Sequence, residues 1–207
     1  MTYQTVPTVT TGEMWTASQH NTYVRDNFAS LWPYTAAGDL AYAASSSSLA
    51  KLSSGTEGQI LTVSSGVPAW TDQVQKFCTL KRNANQSISN NSRTNISFDT
   101  ETFDNFGFFD IASPTVITLP EAGLYRFDGF IRYSAATAGV REMILFYNSN
   151  YYFIDSRNAN YGVYTVSNGA YLLQIASPTT VNIQAFHTGG TALNATANVS
   201  VTYIGAI

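Results

Sequence analysis

The sequence predicts a mainly β protein: a C-terminal two-sheet jelly roll or sandwich, preceded by one helix and a short-stranded, glycine-punctuated segment. Three observations carry this. Of 207 residues only 11% are charged, while 44% are hydrophobic and 14% aromatic, a balance opposite to that of a disordered chain. From Phe77 onward, short runs of β-branched and aromatic residues recur between turn signals, the pattern of successive strands. One helical pattern stands out, and it lies near the N-terminus.

That helix is expected over about 16–31, inside an N-terminal anchoring segment, 1–37. Thr16 is the N-cap and Gln19 the third helical position, the T-x-x-Q form of a capping box. Val24, Phe28 and Leu31 follow at i, i+4 and i+7 with Tyr23 beside them, one apolar stripe. Pro33 ends the run, because it cannot continue the ladder and disfavours helix in the residue before it. A helix of about fifteen residues is marginal alone in water. The stripe, with Trp15 and Trp32 at its ends, therefore needs a surface to lie against, and Trp15, Tyr23, Val24, Phe28, Leu31 and Trp32 form the expected contact set.

Residues 38–76 read as a connector of short apolar pieces: Leu40 and Tyr42, Leu49 and Leu52, Ile60 to Val63, and Trp70. Ser and Gly separate them. The apolar content is too small to close an independent core, so the segment is either a linker or is ordered by pairing between chains. Ser45 to Ser48 favours a linker, whereas Gly55, Gly58 and Gly66 fall at turn-like intervals.

Residues 77–207 read as about eight to ten strands, the size of a two-sheet jelly roll. Short strands are expected at Phe77 to Leu80, Ile96 to Phe98, Gly107 to Ile111 and Thr115 to Leu119. Pro120 to Gly123 is a turn signal. The next strand places Tyr125, Phe127, Gly129, Ile131 and Tyr133 on one face and Leu124, Arg126, Asp128, Phe130 and Arg132 on the other. Arg141 to Tyr147 and Tyr151 to Ile154 continue the series. Asn168-Gly169, flanked by apolar alternation, predicts a tight hairpin. Strict alternation of Val199, Val201 and Tyr203 closes the domain.

Several function classes are excluded at this level. Ten Lys and Arg against thirteen Asp and Glu give a net charge of −3, which argues against nucleic-acid binding. No apolar run is long enough for membrane insertion, and the first residues lack the basic and apolar regions of a secretory signal. Cys78, the single cysteine, excludes an intrachain disulfide and reads as a small buried hydrophobe. His20 reads as a surface or docking residue and His187 as a strand-end polar residue. With no G-x-S-x-G elbow or H-E-x-x-H helix beside them, no enzyme and no catalytic residue are expected. Asp99, Glu101 and Asp104 cluster in sequence. A solvated turn is the favoured reading, because EF-hand spacing is missing. Tyr147, Tyr151, Tyr152, Tyr161 and Tyr164 crowd a stretch rich in Asn and Ser. They suit either an adaptable recognition surface or the filling of a sandwich or a seam between copies.

Two resemblances extend this reading. Phe98, Phe103-Asp104, Phe108, Ile117 to Pro120, Gly123 to Phe127 and the closing Val199 to Gly205 strand resemble the jelly-roll domains of the complement C1q and tumour-necrosis-factor superfamily. That resemblance implies a homotrimer about a threefold axis. Because some C1q-like domains bind calcium, it also raises a Ca²⁺ site at Asp99, Glu101 and Asp104 as the alternative to the solvated turn; no other cofactor is implied. Thr16 to Gln19, Asn21 to Asn27, Gly38-Asp39-Leu40 with Tyr42, Leu49 with Leu52, Gly55 to Val63, and Pro68 with Trp70 resemble the N-terminal parts of tailed-phage fibre, tail and head-decoration proteins. This implies a phage virion structural protein at the virion surface, on head or tail, assembled in the host cytoplasm. Its N-terminal region would dock on another virion protein, of capsid or tail, and its jelly roll would face outward toward a host-surface glycan or protein. The alternatives are a purely capsid-stabilising decoration and a polysaccharide-degrading spike.

Overall fold

The computed structural model describes residues 4–8, 10–46 and 48–206. The chain forms two compact units, Met1–Val74 and Gln75–Ile207.

In the first unit, Thr16 caps the helix from both sides. The Gln19 amide donates to the Thr16 hydroxyl (3.2 Å) and the Thr16 amide donates to Gln19 Oε1 (2.9 Å). The helix then runs as α1 (Ala17–His20), a π-helical turn (Asn21–Arg25) and α2 (Asp26–Leu31). The π turn adds a residue to the turn and so rotates everything beyond it. The buried side chain is consequently Asn27, which lies outside the expected stripe. Its Nδ2 donates to the Gln4 carbonyl (2.8 Å) and its Oδ1 accepts the Gln4 amide (2.7 Å), tying the incoming chain to the helix.

The connector is not an unstructured linker. β1 (Leu40–Ser45) pairs β2 (Ser48–Leu52), and β3 (Gln59–Ser64) pairs β4 (Val67–Asp72), both antiparallel within one chain. Ser65 and Gly66 take φ 51° and 84°, the left-handed pair that a two-residue hairpin matching strand twist requires. Trp70 closes over Gly55, where a Cβ would lie 2.7 Å from its ring, and donates from Nε1 to the Ser53 carbonyl (2.7 Å). Asp39 accepts the amides of Thr35 (2.8 Å) and Ala36 (2.9 Å) and lies 3.4 Å from Lys51. The Thr35 amide, with help from Ala36 and Lys51, outweighs desolvation and holds the carboxyl at about 2. Among the described residues of this unit, no hydrophobic side chain is buried.

The second unit is a sandwich of two antiparallel sheets. One has the order β12 (Thr165–Ile175), β9 (Gly123–Tyr133), β14 (Leu193–Gly205), β5 (Phe77–Ile88), β7 (Thr100–Asp104). The other has the order β11 (Asn150–Asn158), β10 (Val140–Tyr147), β13 (Thr179–His187), β6 (Thr94–Asn95), with β8 (Ile117–Leu119) also on β13. The first and last strands of the domain, β5 and β14, are neighbours, and β9 lies between β14 and β12. The alternation read in β9 sends Tyr125, Phe127, Ile131 and Tyr133 into the core. They meet Leu80, Val199 and Val201 of the same sheet and Met143, Leu145 and Ile183 of the other. Cys78 is buried there too, and desolvation pushes its thiol up to about 12.

Several local expectations are overturned; the strand expected at Ile96 to Phe98, for one, lies just past β6, which is only Thr94–Asn95. Asn168-Gly169 forms no turn: β12 runs through it, with Gly169 opposite Gly129 of β9 and the Asn168 amide donating to Asp155 Oδ2 (3.0 Å). The tight hairpin of this region is Asn148-Ser149 (φ 47° and 61°) between β10 and β11. Gly107 to Ile111 is a loop with a single bridge, Phe109 to Ile117. His187 ends β13, the strand-end polar position expected, and it is fully buried there. Its Nε2 lies 2.8 Å from the Ile88 carbonyl and its Nδ1 3.1 Å from the Gly189 amide. Nδ1 therefore accepts and Nε2 donates, the neutral ring with its proton on Nε2. Opposite it sits Arg141, also fully buried. It donates to the carbonyls of Val140 (2.9 Å) and Ala138 (3.2 Å), has no carboxylate partner among the described residues, and is lowered from its ordinary range by desolvation.

Candidate functional site

Three groups of side chains were expected to carry function, and each is placed by a different element. Trp15, just before the helix, and Tyr23 within it are half-buried and meet edge to face, ring centroids 5.7 Å apart. Val24 is also half-buried. Beyond the π turn the stripe is uncovered: Phe28 is 71%, Leu31 52% and Trp32 72% exposed. The contact set thus splits into a half-buried part and an open apolar end.

The three carboxylates do not converge. Asp99 Oδ1 accepts the Asn83 amide (3.0 Å) and Oδ2 the Ala84 amide (2.9 Å), with Arg82 3.5 Å away. Asp104 Oδ1 accepts the amides of Phe106 and Gly107 (2.9 Å each), and Oδ2 that of Phe109 (3.0 Å). Glu101 is exposed. A β-bulge interrupts β7 opposite Thr79 and Leu80, between Glu101 and Phe103, so Glu101 and Asp104 do not follow simple alternation. Among the described residues no three His, Cys, Asp or Glu side chains form a group that could hold a metal ion. The donor set therefore does not fit calcium, which needs six to eight oxygens; two of its carboxylates brace backbone instead.

The tyrosines divide between core and surface. Tyr147 and Tyr152 pack against the core, Tyr152 beside Tyr171 (5.3 Å). Tyr151 meets Phe146 at a tilt (5.0 Å) with Arg93 over its ring (4.3 Å), and Tyr161 is 79% exposed. Tyr164 lines a pocket of about 240 Å³ with Asn85, Ser134, Asn194 and Thr196, and Arg132 lies 3.7 Å above its ring. Alternation placed Arg132 on the outer face of β9; its meeting with Tyr164 needs the fold, since β12 and β9 pair only through tertiary structure.

Acid should loosen this sandwich through its braced carboxylates. Desolvation alone would raise Asp99, but the amides of Asn83 and Ala84, the Thr100 hydroxyl and Arg82 outweigh it and hold the carboxyl below its ordinary range. Asp155 behaves alike: burial opposes ionisation, and Arg157, Ser167 and the Asn168 amide override it. Both pKa values are lower folded than unfolded, so the unfolded chain binds more protons at low pH. Their stabilisation is present above about pH 4, the unfolded aspartate range, and is lost as pH falls through the folded values. Thermal melts between pH 2 and pH 7 test this; an unchanged melting temperature across that range would refute the bracing role.

The second unit is a two-sheet β-sandwich of jelly-roll type, and the first is a small unit of helix and hairpins. No protein-family model and no curated protein matches the chain. Among solved structures, the chain is similar to the globular domain of zebrafish complement 1qA protein, with a TM-score of 0.50 and 17% identity over 64% of this chain and 99% of that one. It is also similar to the PRD1 vertex protein P5 (TM-score 0.49, 15% identity, 74% of this chain and 86% of that one). For murine APRIL the values are 0.41, 9%, 60% and 98%.

Proposed function

We propose that this chain is a non-enzymatic phage virion protein, a homotrimeric short fibre, spike or decoration. Its N-terminal unit attaches to the particle and its jelly roll projects from it, presenting Tyr151, Tyr161 and Tyr164 to the host surface. The virion context rests on the N-terminal sequence resemblance, and the trimer on the C1q/TNF-like likeness. The observation that carries the attachment role is the open end of the helix: Phe28, Leu31 and Trp32 lie more than half exposed in a unit with no buried apolar side chain among its described residues. An apolar patch of that kind marks an interaction site. Three copies on one axis would convert weak host contacts into avidity where the target permits simultaneous engagement.

Substituting Phe28→Asp with Trp32→Asp in the full chain tests the attachment. Both side chains are exposed, so the melting temperature should stay within a degree or two, while incorporation into phage particles should fall at least tenfold. Normal incorporation would remove the helix from the anchor. Light scattering of the unaltered protein tests the trimer directly, with a mass near three times 22.5 kDa expected.

A further inference from the structure

The β3–β4 hairpin leaves apolar side chains uncovered on both of its faces. Register pairs Leu61 with Trp70 and Val63 with Pro68, which puts Leu61 and Val63 on one face. Ile60 opposite Thr71 and Val67 opposite Ser64 fall on the other. Leu61 is 51% and Val63 76% exposed, against 43% for Ile60 and 40% for Val67. These strands pair only with each other, and a lone two-stranded hairpin is marginal in water.

We propose that other copies of this chain cover the hairpin, the Leu61 and Val63 face of one copy packing on the Ile60 and Val67 face of the next to close a ring. This rests on the homotrimer reading above and adds the place where the N-terminal units meet. Two observations select a copy of the chain over a foreign partner. A ring needs two different complementary patches on every subunit, and the hairpin carries two; a partner docked on one face would leave the other in water. The second is area. With roughly 100 Å² for a whole aliphatic side chain, the exposed parts of these four supply on the order of 200 Å². A diffusing partner contributes about 800 Å² to a stable interface. So small a patch suffices only between units already tethered, where effective concentration replaces area, and the jelly rolls provide that tether.

Thiol cross-linking in the full chain reads the arrangement. Cys78 is buried with its thiol pushed up to about 12, so introduced cysteines are the reactive ones. With a short bismaleimide, Val63→Cys combined with Val67→Cys should give a ladder reaching three chains on a denaturing gel. Either substitution alone should leave at least tenfold less product, because like positions do not meet. Hydrogen exchange of the unaltered protein guards against a misfolded variant: Thr62 and Ala69 amides should exchange at least tenfold more slowly in the oligomer than after dilution to monomer. A three-chain mass without the ladder, or with fast hairpin exchange, overturns the ring and leaves the trimer standing. A one-chain mass overturns both.

Discussion

Replacing Gly129 by alanine should cost the jelly roll about 3 kcal/mol or more, the upper range for overpacking a filled core. Gly129 sits mid-strand in β9, opposite Gly169 on one side and Val199 on the other. A Cβ there would lie 2.3 Å from the Asn198 carbonyl oxygen and 3.0 Å from the Val199 Cα. These are backbone atoms of a neighbouring strand, so they cannot swing aside as a side chain would. The requirement is one of space, since the residue is not among the glycines at positive φ. The melting temperature should drop by roughly 10 °C, at a few degrees per kcal/mol for a domain of this size. All three tryptophans, Trp15, Trp32 and Trp70, lie in the other unit. Tyrosine emission and far-ultraviolet circular dichroism therefore follow the sandwich, and tryptophan emission should be unmoved. An alanine variant melting with the parent would mean that the strands do not approach this closely.

The same glycine shows where sequence reasoning stops. β9 was legible because its alternation is local and is satisfied: Tyr125, Phe127, Ile131 and Tyr133 are all buried. The Asn168-Gly169 signal is equally local and misleads. Gly169 serves a close approach in which a Cβ would lie 2.7 Å from the Ile154 carbonyl, and Asn168 answers to Asp155. Both partners are set by tertiary pairing. The helix repeats the contrast. Its capping box spans three residues and was legible, whereas the π turn that swings Asn27 inward leaves no mark in the spacing of Val24, Phe28 and Leu31. Arg141 and His187 share the remaining reason: each is one of several polar residues in its strand, and only the cross-strand register puts these two opposite each other in the core.

Asp104 separates the calcium reading from the bracing one most sharply. Its carboxylate accepts three backbone amides within five residues and so shapes the loop that delivers Phe108, fully buried, edge-on to Tyr125 at 6.1 Å. Hydrogen bonds to a charged group contribute about 1.5–3 kcal/mol each, but the exposed Gly107 amide recovers water when the acceptor is lost. Asp104→Ala should therefore destabilise the domain by about 3 kcal/mol. Asparagine keeps one oxygen for the Phe106 and Gly107 amides and turns its NH₂ toward the Phe109 amide, so Asp104→Asn should lose about half as much. On the bracing account a chelator leaves the melting temperature of the unaltered protein unchanged. On the calcium account the chelator lowers it, and loss of a charged ligand makes asparagine nearly as damaging as alanine. A graded pair of variants with no chelator effect makes Asp104 the clamp of this loop; equal damage with a chelator-sensitive melt would restore Asp99, Glu101 and Asp104 as an ion site.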